Sequence, residues 1–464
     1  MTIRRLTLIL FLASISAWAQ SGAIGSMRDP RSADSQAVGT HSIEPWLAVN
    51  GTYDTVLDKP ETYGASVHRS VVLNGGLSAA RDFHRTYFVF GYAGSGTDYL
   101  GSSAGIREGW TSSNVVTLAI SSQVTQRVTL DFSEAGGAAN GGFGAAAAGL
   151  QSGGLGLLGS MGVSSSFLFG GGSSLGGAST GLNPLQNGLV DADYYQQMSY
   201  FSSTSGSAGF LLSQRTMLNI GGSGSFVRRA GRNFSDANIA AANATLSTQL
   251  SRRFSVFVGY SFDNVNFVQS IGSTYMQGGF AGFRTKLSAH DEVSLSVSDT
   301  YMDNKFASTQ TLPPDIAALL GVSTITTVRS TSRAYLGGRF TFNHTFEHGG
   351  FDLNCNSMIA PGNDLILLAR SEACTASLNR TLTSRLSVVG LGGIRRLNGM
   401  TQSGSRYDVV TGGMLFSYRI FRGISLTAGA TYRDTQVKPS SQKLTGVSAN
   451  AGLFWSPHEG VNLF

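Results

Sequence analysis

Hydrophobic and polar positions alternate along most of this chain with a period of two. In residues 423–432, Ile424, Leu426, Ala428, Ala430 and Tyr432 fall on one face, and Ser425, Thr427, Gly429 and Thr431 on the other. In residues 254–262 the apolar face is Phe254, Val256, Val258, Tyr260 and Phe262, with Ser255, Gly259 and Ser261 opposite. Alternation of this kind marks β-strands whose two faces meet different surroundings. Apolar rows often end in an aromatic residue, as at Tyr92, Tyr260, Phe262, Tyr301 and Tyr432.

The strands come as a repeated hairpin. Segments 116–132, 244–262, 376–393 and 414–432 each hold an alternating run, a short polar stretch usually including Arg, and a second alternating run. Short turns of this type fall near 81–85, 125–127, 214–215, 251–253, 290–292, 347–349, 383–385 and 421–422. Those eight hairpins, one strand before them at 46–57 and one after at 445–455, make eighteen strands. Sixteen is the alternative count, because the first strand and the hairpin at 209–226 alternate least clearly. Longer connections fall at 94–110, 228–236, 303–327, 398–405 and 436–443.

Composition decides where such strands sit. Only 13% of the 464 residues are charged, 60 are Gly, and mean hydropathy is +0.04. Ordinary soluble domains carry about twice that share of charge. A helical membrane protein would show apolar runs of about 20 residues, and none follows the N-terminus. The polar rows hold Ser, Thr, Gly, Asn and Gln rather than charges, which suits a wet lumen. The expected fold class is therefore all-β, a closed transmembrane antiparallel barrel.

The first residues set the compartment. Arg4 and Arg5, the apolar run 6–17 and the Ala17-Trp18-Ala19 site form an export signal over 1–19, cleaved before Gln20. Residues 20–43 are polar and pattern-free and are expected as a disordered periplasmic lead-in, with the barrel over 44–464. The isoelectric point near 9.3 does not point to nucleic acid, because the charge is sparse and unclustered and the chain is exported.

Arg outnumbers Lys 28 to 5, mostly at turns. Arg339 instead falls opposite the apolar row Leu336, Phe340 and Phe342, toward the lumen. Arg339, Ser425, Thr427 and Thr431 are the candidate lumen-facing residues. Cys355 and Cys374 lie in strands on either side of 361–364, within reach of a disulfide if those strands are neighbours. Two reduced cysteines facing lipid or lumen are the alternative. Too few ligands surround them for a metal, and no cofactor is implied. Segment 135–190 stands apart: it has no charged residue and is dominated by Gly, Ala, Ser and Leu. It folds into the lumen as a constriction or forms a low-complexity surface loop; both readings stay open.

Over nearly all of its mature length the chain resembles Gram-negative outer-membrane β-barrel proteins. The run Leu250 to Val256, echoed at Leu382 to Val388, is similar to hairpins of porin-like barrels, including those associated with exopolysaccharide export loci. The resemblance implies the outer membrane of a Gram-negative bacterium, with short turns periplasmic and long loops outside. It also implies contact with outer-membrane lipid and with the barrel assembly machinery, whose family signal is a terminal aromatic such as Phe464. Gly460 and Asn462 depart from that signal. The implied function is passive diffusion of small polar or anionic solutes. The alternative is an accessory barrel working with polysaccharide export components. The resemblance carries no site residues.

No catalytic set is visible, and an enzyme is not expected. Residues 154–159 match G-x-G-x-x-G without a surrounding βαβ unit, and 101–105 match G-x-S-x-G without a strand-to-helix elbow. His344 and His348 bracket a turn rather than sharing a helix face. Outer-membrane phospholipases and proteases use Ser, His and acidic groups at the barrel rim. His84 with Asp82 and His290 with Asp291 would be the candidates for such roles, yet both pairs lie at periplasmic turns with no partner Ser.

Overall fold

The computed structural model describes residues 41–55, 68–100, 110–139, 199–229, 236–268, 272–311, 324–361, 368–400, 406–421, 423–438 and 442–457. They form eighteen strands. The first six are β1 (His41–Asp54), β2 (His68–Phe83), β3 (Thr86–Leu100), β4 (Trp110–Thr125), β5 (Val128–Ala139) and β6 (Ser199–Leu211). Next come β7 (Thr216–Arg229), β8 (Ala237–Gln249), β9 (Phe254–Phe267), β10 (Gly272–Lys286), β11 (Asp291–Thr311) and β12 (Thr324–Phe346). The last six are β13 (Gly349–Pro361), β14 (Leu368–Thr381), β15 (Leu386–Gly399), β16 (Arg406–Phe421), β17 (Ile424–Lys438) and β18 (Gln442–Trp455).

Each strand pairs antiparallel with its sequence neighbours, and β1 also pairs with β18. The sheet is a closed ring of eighteen, not sixteen. Closure follows from the solvent: a lipid-facing sheet with a free edge would leave backbone N–H and C=O groups unpaired. The seam is uneven, since β1 pairs with β2 over His41–Asp54 but with β18 only over Leu47–Asp54.

Burial follows the alternation. On β17, Leu426 and Tyr432 are 45% and 43% exposed while Thr427 is 6% exposed. The apolar row therefore faces outward, and Ser425, Thr427 and Thr431 face the lumen. The same parity exposes Leu130 and Phe132, Val258 and Tyr260, Ile394, and Met414, Phe416 and Tyr418, which together build a lipid-facing belt. One pleat beyond Ile394 and Val410 that belt ends in an ion ladder. Arg370 pairs with Glu372 at 3.0 Å, Arg396 with Asp408 at 2.9 Å, and Arg406 with Asp408 at 2.7 Å.

The eight short turns fall where the polar stretches place them, and four share one construction. Ser213, Ser251, Ser288 and Thr383 each follow a Leu and accept backbone N–H bonds from the residues two and three ahead. Hydroxyl residues favour turns for this reason. The last turn residue then offers its carbonyl to the neighbouring hairpin. Gln249 N donates to Arg215 O at 2.8 Å, Lys286 N to Arg253 O at 2.8 Å, and Arg419 N to Arg385 O at 2.7 Å. The recurring Leu-Ser/Thr-x-Arg signature is thus a turn joint. Gly423 at φ +81° closes the β16–β17 turn, in a region that disfavours other residues.

Several boundaries differ from the sequence expectation. Residues 41–43, assigned to the lead-in, begin β1, and the first strand ends at Asp54 rather than 57. Residues 135–139, assigned to the Gly-rich insertion, complete β5. Their Gly and Ala carry no alternation to read. Both ends of the connection expected at 303–327 are strand: β11 has 21 residues and runs to Thr311, and β12 has 23 and starts at Thr324. Above Gly338 and Ser357, β12 stops pairing with β13 and continues with β11 alone. Polar residues fall at both parities along most of this extension, so its hydropathy does not alternate. The ends of β3, β7, β15 and β17 likewise extend into the connections expected at 94–110, 228–236, 398–405 and 436–443. The signal segment 1–19, the rest of the lead-in, the insertion beyond residue 139, both Gly-x motifs and the terminal residues 458–464 lie outside the described residues.

Candidate solute pathway

The inner wall is built from the polar parity of each strand and is chemically lopsided. Arg339 lies on the inward row of β12, opposite Ser296 of β11 and Asn356 of β13. The same parity turns Arg333 of β12, Arg395 of β15 and Arg433 of β17 inward; their register partners are Met302, Val409 and Thr411. Across the ring, β4 to β9 bring inward two carboxylates, Asp131 and Asp263, and no Arg among the residues whose side chains are described. Asp131 accepts hydrogen bonds from Ser121 at 2.6 Å and Ser207 at 3.3 Å. Thr427, with its hydroxyl 3.4 Å from the Asn50 amide oxygen, is packed into a wall of small polar groups.

Apolar side chains interrupt this wall. Trp46, Ala48, Ala93 and Phe454 form a cluster near the short-turn end. Toward the other end, Ala237, Ile239, Val265, Phe267, Met276 and Met302 pack together, and Ile359 from the end of β13 joins them. Ile359 reaches that cluster because β13 has already left β12. The inner wall therefore carries packed apolar groups as well as charged ones. Near the short turns, Arg284 and Glu292 form an inward ion pair.

Cys355 and Cys374 face each other in register on β13 and β14, their Cα atoms 4.0 Å apart, and are joined as a disulfide. Their row continues into Phe340 and Ile394 and so faces lipid, away from the pathway.

Of the rim candidates, Asp291 meets a different histidine from the one the sequence suggested. Asp291 is joined to His344 Nδ1 at 2.6 Å and accepts from the Ser288 hydroxyl at 2.6 Å. His290, its sequence neighbour, is not the partner. The carboxylate sits between serine and imidazole, whereas a nucleophilic serine needs the imidazole beside it. His344 also meets the Phe346 ring edge-on at 4.5 Å, as a structural contact of the rim. His84 occupies a turn at φ 55°, and His348 lies in the β12–β13 turn. Among the described residues no group of three His, Cys, Asp or Glu could hold a metal ion.

Two acidic residues were not singled out from sequence. Extending the polar row Ser255, Gly259 and Ser261 by one step reaches Asp263, which parity alone places inward. Glu134 is less legible, because it falls on the outward row two residues after Phe132. Ser202 donates to it at 2.8 Å, and Thr204 donates to its other oxygen.

No known family model matches the chain, and no curated relative does either. Solved structures do resemble it in architecture. The ferric yersiniabactin uptake receptor FyuA of Yersinia pestis is 9% identical with a TM-score of 0.42, covering 88% of this chain, which spans 65% of that receptor's length. The closed form of the ferric-catecholate import receptor Fiu of E. coli K12 is 9% identical with a TM-score of 0.44, over 90% of this chain and 82% of its own. OccAB4 of Acinetobacter baumannii is 9% identical with a TM-score of 0.41, over 91% of this chain and 99% of its own. At such identity and superposition, nothing about solute, partner or mechanism transfers to this chain.

Proposed function

We propose that this chain is an outer-membrane channel passing small polar or anionic solutes. The observation that carries the reading is the inward placement of Arg333, Arg339, Arg395 and Arg433 within a ring of eighteen strands. A ring of that size leaves an aqueous lumen unless something fills it. Guanidinium groups on its wall attract anions, and low-dielectric surroundings strengthen the attraction. The apolar cluster around Met276 and Met302 keeps the passage narrow, so conductance is modest. An export signal, an apolar outer belt and short turns on one side support placement in a Gram-negative outer membrane.

The test is the purified chain in planar bilayers under a potassium chloride gradient. Discrete openings with a reversal potential leaning toward chloride are expected. Absence of conductance at all potentials would remove the channel and favour an accessory role in surface-polysaccharide export.

A further inference from the structure

Asp263 lies on the inward row of β9, is 0% exposed, and has no hydrogen-bond partner for either carboxylate oxygen among the described residues. Sealing an ionised carboxylate away from water without donors is strongly unfavourable. Such a group takes up either a proton or a cation, and its neighbours favour the second. Ser261, two residues back on the same row, is 2% exposed. Asn243 of β8 stands opposite Ser261, one diagonal step from Asp263, and its amide oxygen is also unpartnered among the described residues. On the other side Thr274 of β10, 0% exposed, lies one diagonal step away in the opposite direction. It turns its hydroxyl to the Asn304 amide oxygen at 2.8 Å, so it closes the row above Asp263 and takes no part in the site.

Diagonal neighbours in a sheet lie about 7–8 Å apart, close enough for two side chains to meet at a common centre. Gly221 opposite Asn243 and Gly278 opposite Ser261 bring no side chain into that row. Apart from the Met276 sulfur, every side-chain atom able to ligate a cation there is oxygen, which selects hard cations over zinc or copper. Arg284, the inward cation of β10, is already committed to Glu292.

We infer that Asp263 anchors a wall site for one hard divalent cation of the calcium class. The Asn243 amide rotates to present its oxygen, Ser261 flanks the ion on the Asp263 row, and water completes its shell. The ion would tie β8 and β9 together beneath the apolar cluster. The inference does not depend on solute passage.

The test uses the folded full chain in detergent, stripped of metal with a chelator and titrated with calcium chloride by calorimetry. The unfolding temperature is followed in parallel by the gel mobility of heated samples. Saturable binding and a calcium-dependent rise in unfolding temperature are expected. D263N should weaken binding at least about tenfold, the scale on which even groups supporting a metal site act, and should abolish the rise. No saturable binding, or equal binding by D263N, overturns the site. If D263N does not fold, N243A and S261A read the same site, and unchanged affinity in both overturns it equally. Conductance measured on the same preparation separates this outcome from failure of the channel reading.

Discussion

Glu134 and Ser202 are diagonal neighbours across β5 and β6 on the outer surface of the barrel, with the Ser202 hydroxyl 2.8 Å from the carboxylate. Glu134 is six residues above the β4–β5 turn. At about 3.3 Å per residue and a strand tilt of about 40°, that places it roughly 15 Å up, near the middle of the apolar belt. Ser202 and Thr204 are therefore the donors that make a carboxylate tolerable there.

The S202A/T204A double variant should destabilise the barrel by about 1–3 kcal/mol per lost donor, the usual penalty of an unsatisfied polar group. E134L should be neutral or stabilising, and adding S202A/T204A to it should change little. Urea unfolding in lipid vesicles measures all four corners of this cycle. Equal effects of the serine and threonine changes in both backgrounds would show that their partner is not Glu134.

Anion preference should follow the inward arginines. R395E and R433E together should move the reversal potential toward potassium, whereas R385E, at an exposed turn, should leave it in place. The planar-bilayer assay reads both.

Ile359 caps the apolar cluster over Val265, Met276 and Met302. I359A should widen the passage and raise single-channel conductance, at a cost of about 2–5 kcal/mol typical of truncating a buried Ile. A stability loss without a conductance change would place the narrowest point elsewhere.

Cys355 and Cys374 close a sequence separation of 19 residues. In the chain-entropy account a loop of that size contributes about 3 kcal/mol. C355S/C374S should unfold at lower urea concentration than the wild type while keeping the barrel's native gel mobility, and reductant should shift only the wild type.

How much of this was legible in the sequence depends on which solvent each residue meets. Where one face meets lipid and the other the lumen, alternation is forced, and Leu426 against Thr427 could be read directly. The turns were legible because a hydroxyl two or three residues before a strand performs a fixed task, as Ser251 does for Arg253 and Phe254. Residues 135–139 were not legible, since Gly and Ala fit either face. Nor was the upper half of the β11–β12 hairpin, which leaves the membrane and has polar residues on both sides. Asp263 followed the alternation, but its isolation depends on what packs around it, and that is a property of neighbouring strands far away in sequence.

The shorter pairing at the seam bears on how the molecule is made. Leu47 and Trp455 are partners across nearly the whole chain, so this contact has nearly the largest loop-closure entropy the chain can present. Hairpins such as β16–β17 form locally and early by comparison. The final zipping of β1 to β18 is thus the slow, late event of folding. Until it happens the unfinished barrel shows two raw edges to any other chain in the membrane. A truncation that removes β18 would leave the protein permanently at that stage.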